Sequence, residues 1–118
     1  MNGGRITTHV LDIAHGKPGA GMLVRLWKLD ETSSPLLVKT DRLNEDGRLN
    51  EPLASGGTLT AGTYELVFEA GDYYKQAYRL DSVFLDFIPV RFKVTDERQH
   101  YHVPLLIAPG GYSTYRGT

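Results

Sequence analysis

His100-Tyr101-His102-Val103-Pro104-Leu105-Leu106-Ile107-Ala108-Pro109-Gly110-Gly111-Tyr112-Ser113-Thr114-Tyr115-Arg116-Gly117-Thr118 closes the chain, and its reading decides the fold. At the two-residue period of a strand, Tyr101, Val103, Leu105 and Ile107 form an apolar face. His100, His102, Pro104, Leu106 and Ala108 form the other. The break at Pro109 to Gly111 supplies a turn, because glycine reaches φ > 0 without steric cost, and a second extended run from Tyr112 to Arg116 follows. The stretch therefore predicts a β-hairpin with one core side and one side that displays imidazoles. It stays aromatic almost to its last residue, where chains usually fray. The terminus is accordingly expected to be pinned in a sheet or a site.

Working upstream, Phe87 to Thr95 alternates, with Ile88, Val90, Phe92 and Val94 inward and Arg91 and Lys93 outward, and Asp96 to Gln99 turns into the hairpin. Thr63 to Ala70 alternates as well, Tyr64, Leu66, Phe68 and Ala70 pointing one way. Between these runs Asp72 is placed to cap a short helix with Tyr74, Ala77 and Tyr78 as its apolar stripe. Three earlier strands are expected: Arg5 to Ile13, ending at the 15–19 turn; Met22 to Asp30; and Leu36 to Thr40, after the Thr32-Ser33-Ser34-Pro35 loop. The second shows no clean alternation, which suits an apolar face that meets another chain. Asn44 to Gly47 is a turn of the Asp-Gly type that projects Arg48 from a sheet end, and Ser55 to Gly57 marks a loop. Seven or eight short strands and one small helix predict an all-β, two-sheet sandwich forming a single domain over residues 1–118.

Composition narrows the function. With 41% hydrophobic and 23% charged residues the chain can build one core, and a net charge of -1 offers no basic surface for nucleic acid. The absence of cysteine excludes disulfides, thiolate metal sites and cysteine nucleophiles. No stretch approaches the roughly 18 apolar residues of a membrane helix, and no leader is evident, so a soluble, cytoplasmic protein is expected.

His9, His100 and His102 lie in expected strands, and an imidazole suits proton transfer near neutral pH. Strand histidines commonly serve as mere surface or hydrogen-bonded residues, and spacing alone leaves that reading open. The three could also form a zinc site of the three-histidine type. Arg48 and Arg116 could clamp an anion or a polar heterocycle through their planar forks. Ser113 lacks the Gly-x-Ser-x-Gly setting of a nucleophile elbow. Pro104 and Leu106 beside His102 form an apolar neighbourhood that predicts cover by a partner chain.

Thr8-His9-Val10-Leu11-Asp12, Asp46-Gly47-Arg48, His102-Val103-Pro104-Leu105-Leu106 and Tyr112-Ser113-Thr114-Tyr115-Arg116-Gly117-Thr118 together resemble the transthyretin-like 5-hydroxyisourate hydrolases, over essentially the whole chain. Thr118 stands where that family usually ends in serine, and Gly110-Gly111 replaces a bulkier turn. The resemblance implies a transthyretin-like sandwich of about eight strands with one short helix, and a homotetramer built as a dimer of dimers. It also implies a cofactor-free, metal-free hydrolysis of 5-hydroxyisourate to 5-hydroxy-2-oxo-4-ureido-2,5-dihydro-1H-imidazole-5-carboxylate in urate breakdown. His9, Arg48, His102 and Tyr115 are implied as lining the site, with His9, Arg48 and His102 catalytic, and His9, Arg48, Tyr115 and Ser113 or Thr114 binding the substrate; replacing His100 is expected to have a mild effect. A thyroid-hormone-like carrier on the same fold and the zinc hydrolase are the alternatives.

Overall fold

A computed structural model of the chain describes residues 3–29 and 34–118. In chain order the elements are β1 (Arg5–Asp12), β2 (Lys17–Pro18), β3 (Leu23–Leu29), β4 (Leu36–Arg42), β5 (Ala54–Ser55), a 3-10 turn (Gly56–Thr58), β6 (Gly62–Glu69), α1 (Ala70–Tyr78), β7 (Phe87–Val94), β8 (His100–Ala108) and β9 (Gly111–Thr114). They form two sheets, ordered β2-β1-β8-β9 with β5 also on β1, and β4-β3-β6-β7. The expected sandwich is present, with nine strands among the described residues; β2 lies within the expected 15–19 turn, and β5 ends at the first residue of the expected Ser55 to Gly57 loop. The second expected strand ends at Leu29, and Asp30, Thr32 and Ser33 lie outside the described residues.

Period-two alternation sets the core as expected. Tyr101, Val103, Leu105 and Ile107 of β8 and Ile6 and Val10 of β1 meet Val24 and Leu26 of β3, Tyr64, Leu66 and Phe68 of β6, and Ile88 and Val94 of β7. The first sheet's middle is long-range: β1 runs parallel to β8, with Thr7 opposite His102 and His9 opposite Pro104. Parallel neighbours cannot be joined by a tight turn, so the second sheet and α1 are spent on the crossover between them.

The helix departs from the sequence reading. Ala70, read as the end of a strand, is its first residue, Glu69 occupies the N-cap, and Asp72 sits in the first turn. Tyr73 and Tyr74 are buried, whereas Ala77, expected in the apolar stripe, faces solvent. A polar anchor sets this rotation. The hydroxyls of Tyr73 and Tyr74 donate to Asp12 Oδ2 and Oδ1 at 2.9 and 3.0 Å, and His15 Nδ1 lies 2.8 Å from Oδ2. Burial raises the pKa of Asp12, but hydrogen bonds from His15, Tyr73 and Tyr74 outweigh it and hold the carboxyl below its ordinary value. Asp12, part of the motif around His9, thus faces inward and ties α1 to the sheet. Among the described residues no helix is long and apolar enough to cross a membrane.

Candidate active site

Along β1 the inward residues are Ile6, Thr8, Val10 and Asp12, which leaves Arg5, Thr7 and His9 on the outer face of the sheet. The Asp46-Gly47-Arg48 turn is fastened to this strand. Asn44 Oδ1 accepts the backbone N–H of Asp46 and of Arg48 at 2.8 and 3.2 Å, and Gly47 O accepts Val10 N–H at 2.9 Å. Gly47 has φ 74°, and a Cβ there would stand 2.5 Å from Val10 O, so both the left-handed backbone and the close approach require glycine. The turn delivers Arg48 into a β-bridge with His9.

From β8, His100 and His102 project on the same outer face. The tail after β9 folds back across them: Gly117 N–H donates to His102 O at 2.8 Å. A Cβ on Gly117 would lie 2.6 Å from His102 Cδ2 and 3.2 Å from Pro104 Cγ, so the tail can lie this close only as glycine. Arg116 holds the tail from the other side, donating to Gln99 Oε1 and His100 O at 3.1 and 3.2 Å, with its guanidinium carbon 4.4 Å from the centre of the Tyr101 ring. The result is an open basin of about 590 Å³ on the sheet's outer face, lined by His9, Arg48, His100, His102, Tyr115 and Thr118 among others.

The surroundings of the rings in this basin favour their neutral form. Burial and the Arg48 guanidinium lower the pKa of His9, with Asp46 opposing. Burial, Arg48, His100 and His9 all lower that of His102, and burial, Arg5 and Arg116 lower that of His100. Neutral imidazoles beside a permanent cation can take a proton while the guanidinium binds developing negative charge.

Of the residues singled out from sequence, the fold gathers His9, Arg48, His102 and Tyr115. It does not bring Ser113 or Thr114 into the basin of this chain. The hairpin register sets Ser113 opposite Leu106, beyond the histidine rows, and Thr114 Oγ1 donates to Pro104 O at 2.7 Å. Arg116 braces the tail, its guanidinium engaged by Gln99 Oε1 and His100 O. Pro104 is buried beneath the chain's own tail and needs no partner to cover it, while Leu106 is half-buried. Among the described residues no three His, Cys, Asp or Glu side chains gather as a metal site requires, so the three-histidine alternative lacks its ligand set. Sequence reasoning missed Thr7, whose hydroxyl contacts both His100 and His102. Its place two residues before His9, on the same strand face, was the available signal.

The model of the HIUase/Transthyretin family matches residues 6–117. A 5-hydroxyisourate hydrolase of Mesorhizobium japonicum is 53% identical, over 99% of this chain and 94% of its own length. The solved 5-hydroxyisourate hydrolase of Klebsiella pneumoniae superposes with a TM-score of 0.81 at 33% identity, covering 100% of both chains. Sea bream transthyretin in complex with thyroxine superposes with a TM-score of 0.87 over 97% of this chain and 95% of its own, but at 19% identity that likeness concerns the fold alone.

Proposed function

Because this chain belongs to the HIUase/Transthyretin family, we propose that it hydrolyses 5-hydroxyisourate, opening the six-membered ring of that electron-poor bicyclic compound. The observation that carries the reading is the convergence of His9, Arg48 and His102 on one polar basin, in a chain 53% identical to a protein named for that activity. The chemistry needs a deprotonated water, a partner for the oxyanion and a proton for the leaving nitrogen. His102 and His9 share the first and last tasks. A neutral ring takes a proton from water as its oxygen bonds to the ring carbonyl carbon, and the imidazolium returns a proton to the amide nitrogen as the C–N bond breaks. Arg48 polarises the carbonyl and binds the oxyanion, and the Tyr115 hydroxyl orients the substrate. None of these steps calls for a metal or a cofactor.

The carrier reading has less support, since two imidazoles and a guanidinium at the heart of the basin suit a reactive polar ring better than an inert apolar one. Assembly as a homotetramer with sites between subunits belongs to the same proposal. Supporting it, Tyr115 is 58% exposed, and the outer face runs on past His9 into Leu11, Leu106 and Ile13, the last 54% exposed. A cytoplasmic place in urate breakdown completes the reading. To test it, 5-hydroxyisourate is generated in situ from urate with uricase and its decay followed. Acceleration by this protein that survives a chelator is expected; decay no faster than the spontaneous rate, with tight binding of thyroxine, would establish the carrier instead.

A further inference from the structure

We propose that Thr7 is the positioning residue that sets the tautomer of His102: its hydroxyl accepts the Nδ1–H of His102 and donates to Nε2 of His100, leaving His102 Nε2 bare toward the basin. The inference rests on the hydrolase reading for its catalytic meaning, and on geometry for the rest. Thr7 Oγ1 lies 2.7 Å from His102 Nδ1 and 2.8 Å from His100 Nε2. A hydroxyl has one proton, so it can donate to only one of two rings, and each neutral imidazole has one N–H. Besides an arrangement in which both rings donate to the two lone pairs of the hydroxyl, which leaves His102 in the Nδ1–H form, two senses of a relayed chain are available. In one, His102 Nδ1–H donates to Thr7 and Thr7 O–H donates to His100; in the other, every bond is reversed.

The surroundings of His102 decide what each sense means. Nδ1 is taken by Thr7 and the Cδ2 edge lies against Gly117, so the Nε2 edge is the one left to face the basin. Any arrangement in which His102 Nδ1–H donates to Thr7 leaves a lone pair there to receive a proton from water; the reversed chain leaves an N–H that cannot act as a base. His100 suits its part, because burial, with Arg5 and Arg116 near its ring, opposes protonation and so leaves one ring nitrogen with a lone pair. The parallel register makes the contact possible by setting Thr7 opposite His102. Thr8, one residue on, faces inward and donates to Val103 O at 2.7 Å, so the two adjacent threonines are not interchangeable. Once His102 has taken a proton, Thr7 still accepts its Nδ1–H and steadies the imidazolium until the proton passes to the leaving nitrogen.

The test reads the tautomer directly. In ¹⁵N-histidine-labelled protein without substrate, above pH 7, long-range ¹H–¹⁵N spectra should give His102 as the Nδ1–H form in the wild type and in Thr7→Ser, and as the Nε2–H form in Thr7→Val. With 5-hydroxyisourate, Thr7→Val should lose at least about 10-fold in kcat with KM little changed, toward the roughly 10⁴-fold penalty of a histidine left in the wrong tautomer, and Thr7→Ser should restore it. His100→Ala, which leaves the hydroxyl free to accept from His102, should cost less than Thr7→Val. An Nε2–H tautomer already present in the wild type, no change in Thr7→Val, or full kcat in Thr7→Val overturns the proposal. Because the spectra need no substrate, they decide it even if the wild type fails to hydrolyse 5-hydroxyisourate, a result that would sink the functional reading alone.

Discussion

Replacing Gly117 by alanine adds one methyl group at the point where the tail crosses His102, and its consequences can be worked from distances. The new Cβ would sit 2.6 Å from His102 Cδ2 and 3.2 Å from Pro104 Cγ. Carbon atoms rest comfortably at about 3.5–4.0 Å, so either the imidazole or the tail must move by about 1 Å. Pro104 is buried and gives little room on that side. If the ring moves, the proton acceptor leaves its place; if the tail lifts, the 2.8 Å bond from Gly117 N–H to His102 O breaks and Tyr115 and Thr118 swing out of the basin. A misplacement of about 1 Å can cost about 10²-fold in rate, or about 2.7 kcal/mol of barrier. Stability should barely change, because the terminal residues are mostly exposed and surface substitutions cost about 0.5 kcal/mol or less. Gly110→Ala, in the same hairpin but with no atom within 4 Å of its added Cβ, is the control and should keep full activity. Initial rates of 5-hydroxyisourate decay and urea unfolding of both variants make the measurement. Activity of Gly117→Ala within twofold of Gly110→Ala would refute the claim that the tail positions the histidine.

Since burial and Arg48 depress His9 and His102, the acid limb of kcat/KM should fall below the ordinary imidazole value of 6.5, activity being lost as pH drops through the lowered values. Arg48→Gln removes a shared cause of both shifts, so besides slowing turnover it should move that limb to higher pH; a limb that stays or moves down would contradict the electrostatics. Asp12→Ala strands two buried tyrosine hydroxyls and His15, and should cost about 3–5 kcal/mol in chemical unfolding while the remaining folded protein keeps its kcat. Leu106→Glu puts a charge on the outer face beyond the basin and should dissociate the proposed tetramer and abolish turnover together, which sedimentation beside activity would read; a folded monomer with full activity would separate site from assembly.

Much of this molecule was legible along the chain. The period-two faces of β6, β7 and β8 named the core, and the Pro109 to Gly111 break named the hairpin, because alternation and turn chemistry are local. The helix was found but mis-rotated, since its packing is set by two hydroxyls reaching Asp12, some 60 residues earlier in the chain, and no periodicity reports such a bond. Ser113 and Thr114, expected at the site from the motif, lie outside this chain's own basin, because strand register sets one opposite Leu106 and the hydroxyl of the other donates to Pro104 O.

By itself, the sequence determined the residue types, the strand faces and the Asp46-Gly47-Arg48 turn, because these follow from side-chain chemistry and backbone sterics over a few residues. Only the tertiary structure decided their companionship. The parallel pairing of β1 with β8 joins residues about 95 positions apart, setting Thr7 against His102 and His9 beside Pro104. The turn then lays Arg48 against His9, and the tail's return lays Gly117 on His102. Such pairings depend on which hydrophobic faces can be buried at once, a property of the whole core and not of any stretch within it.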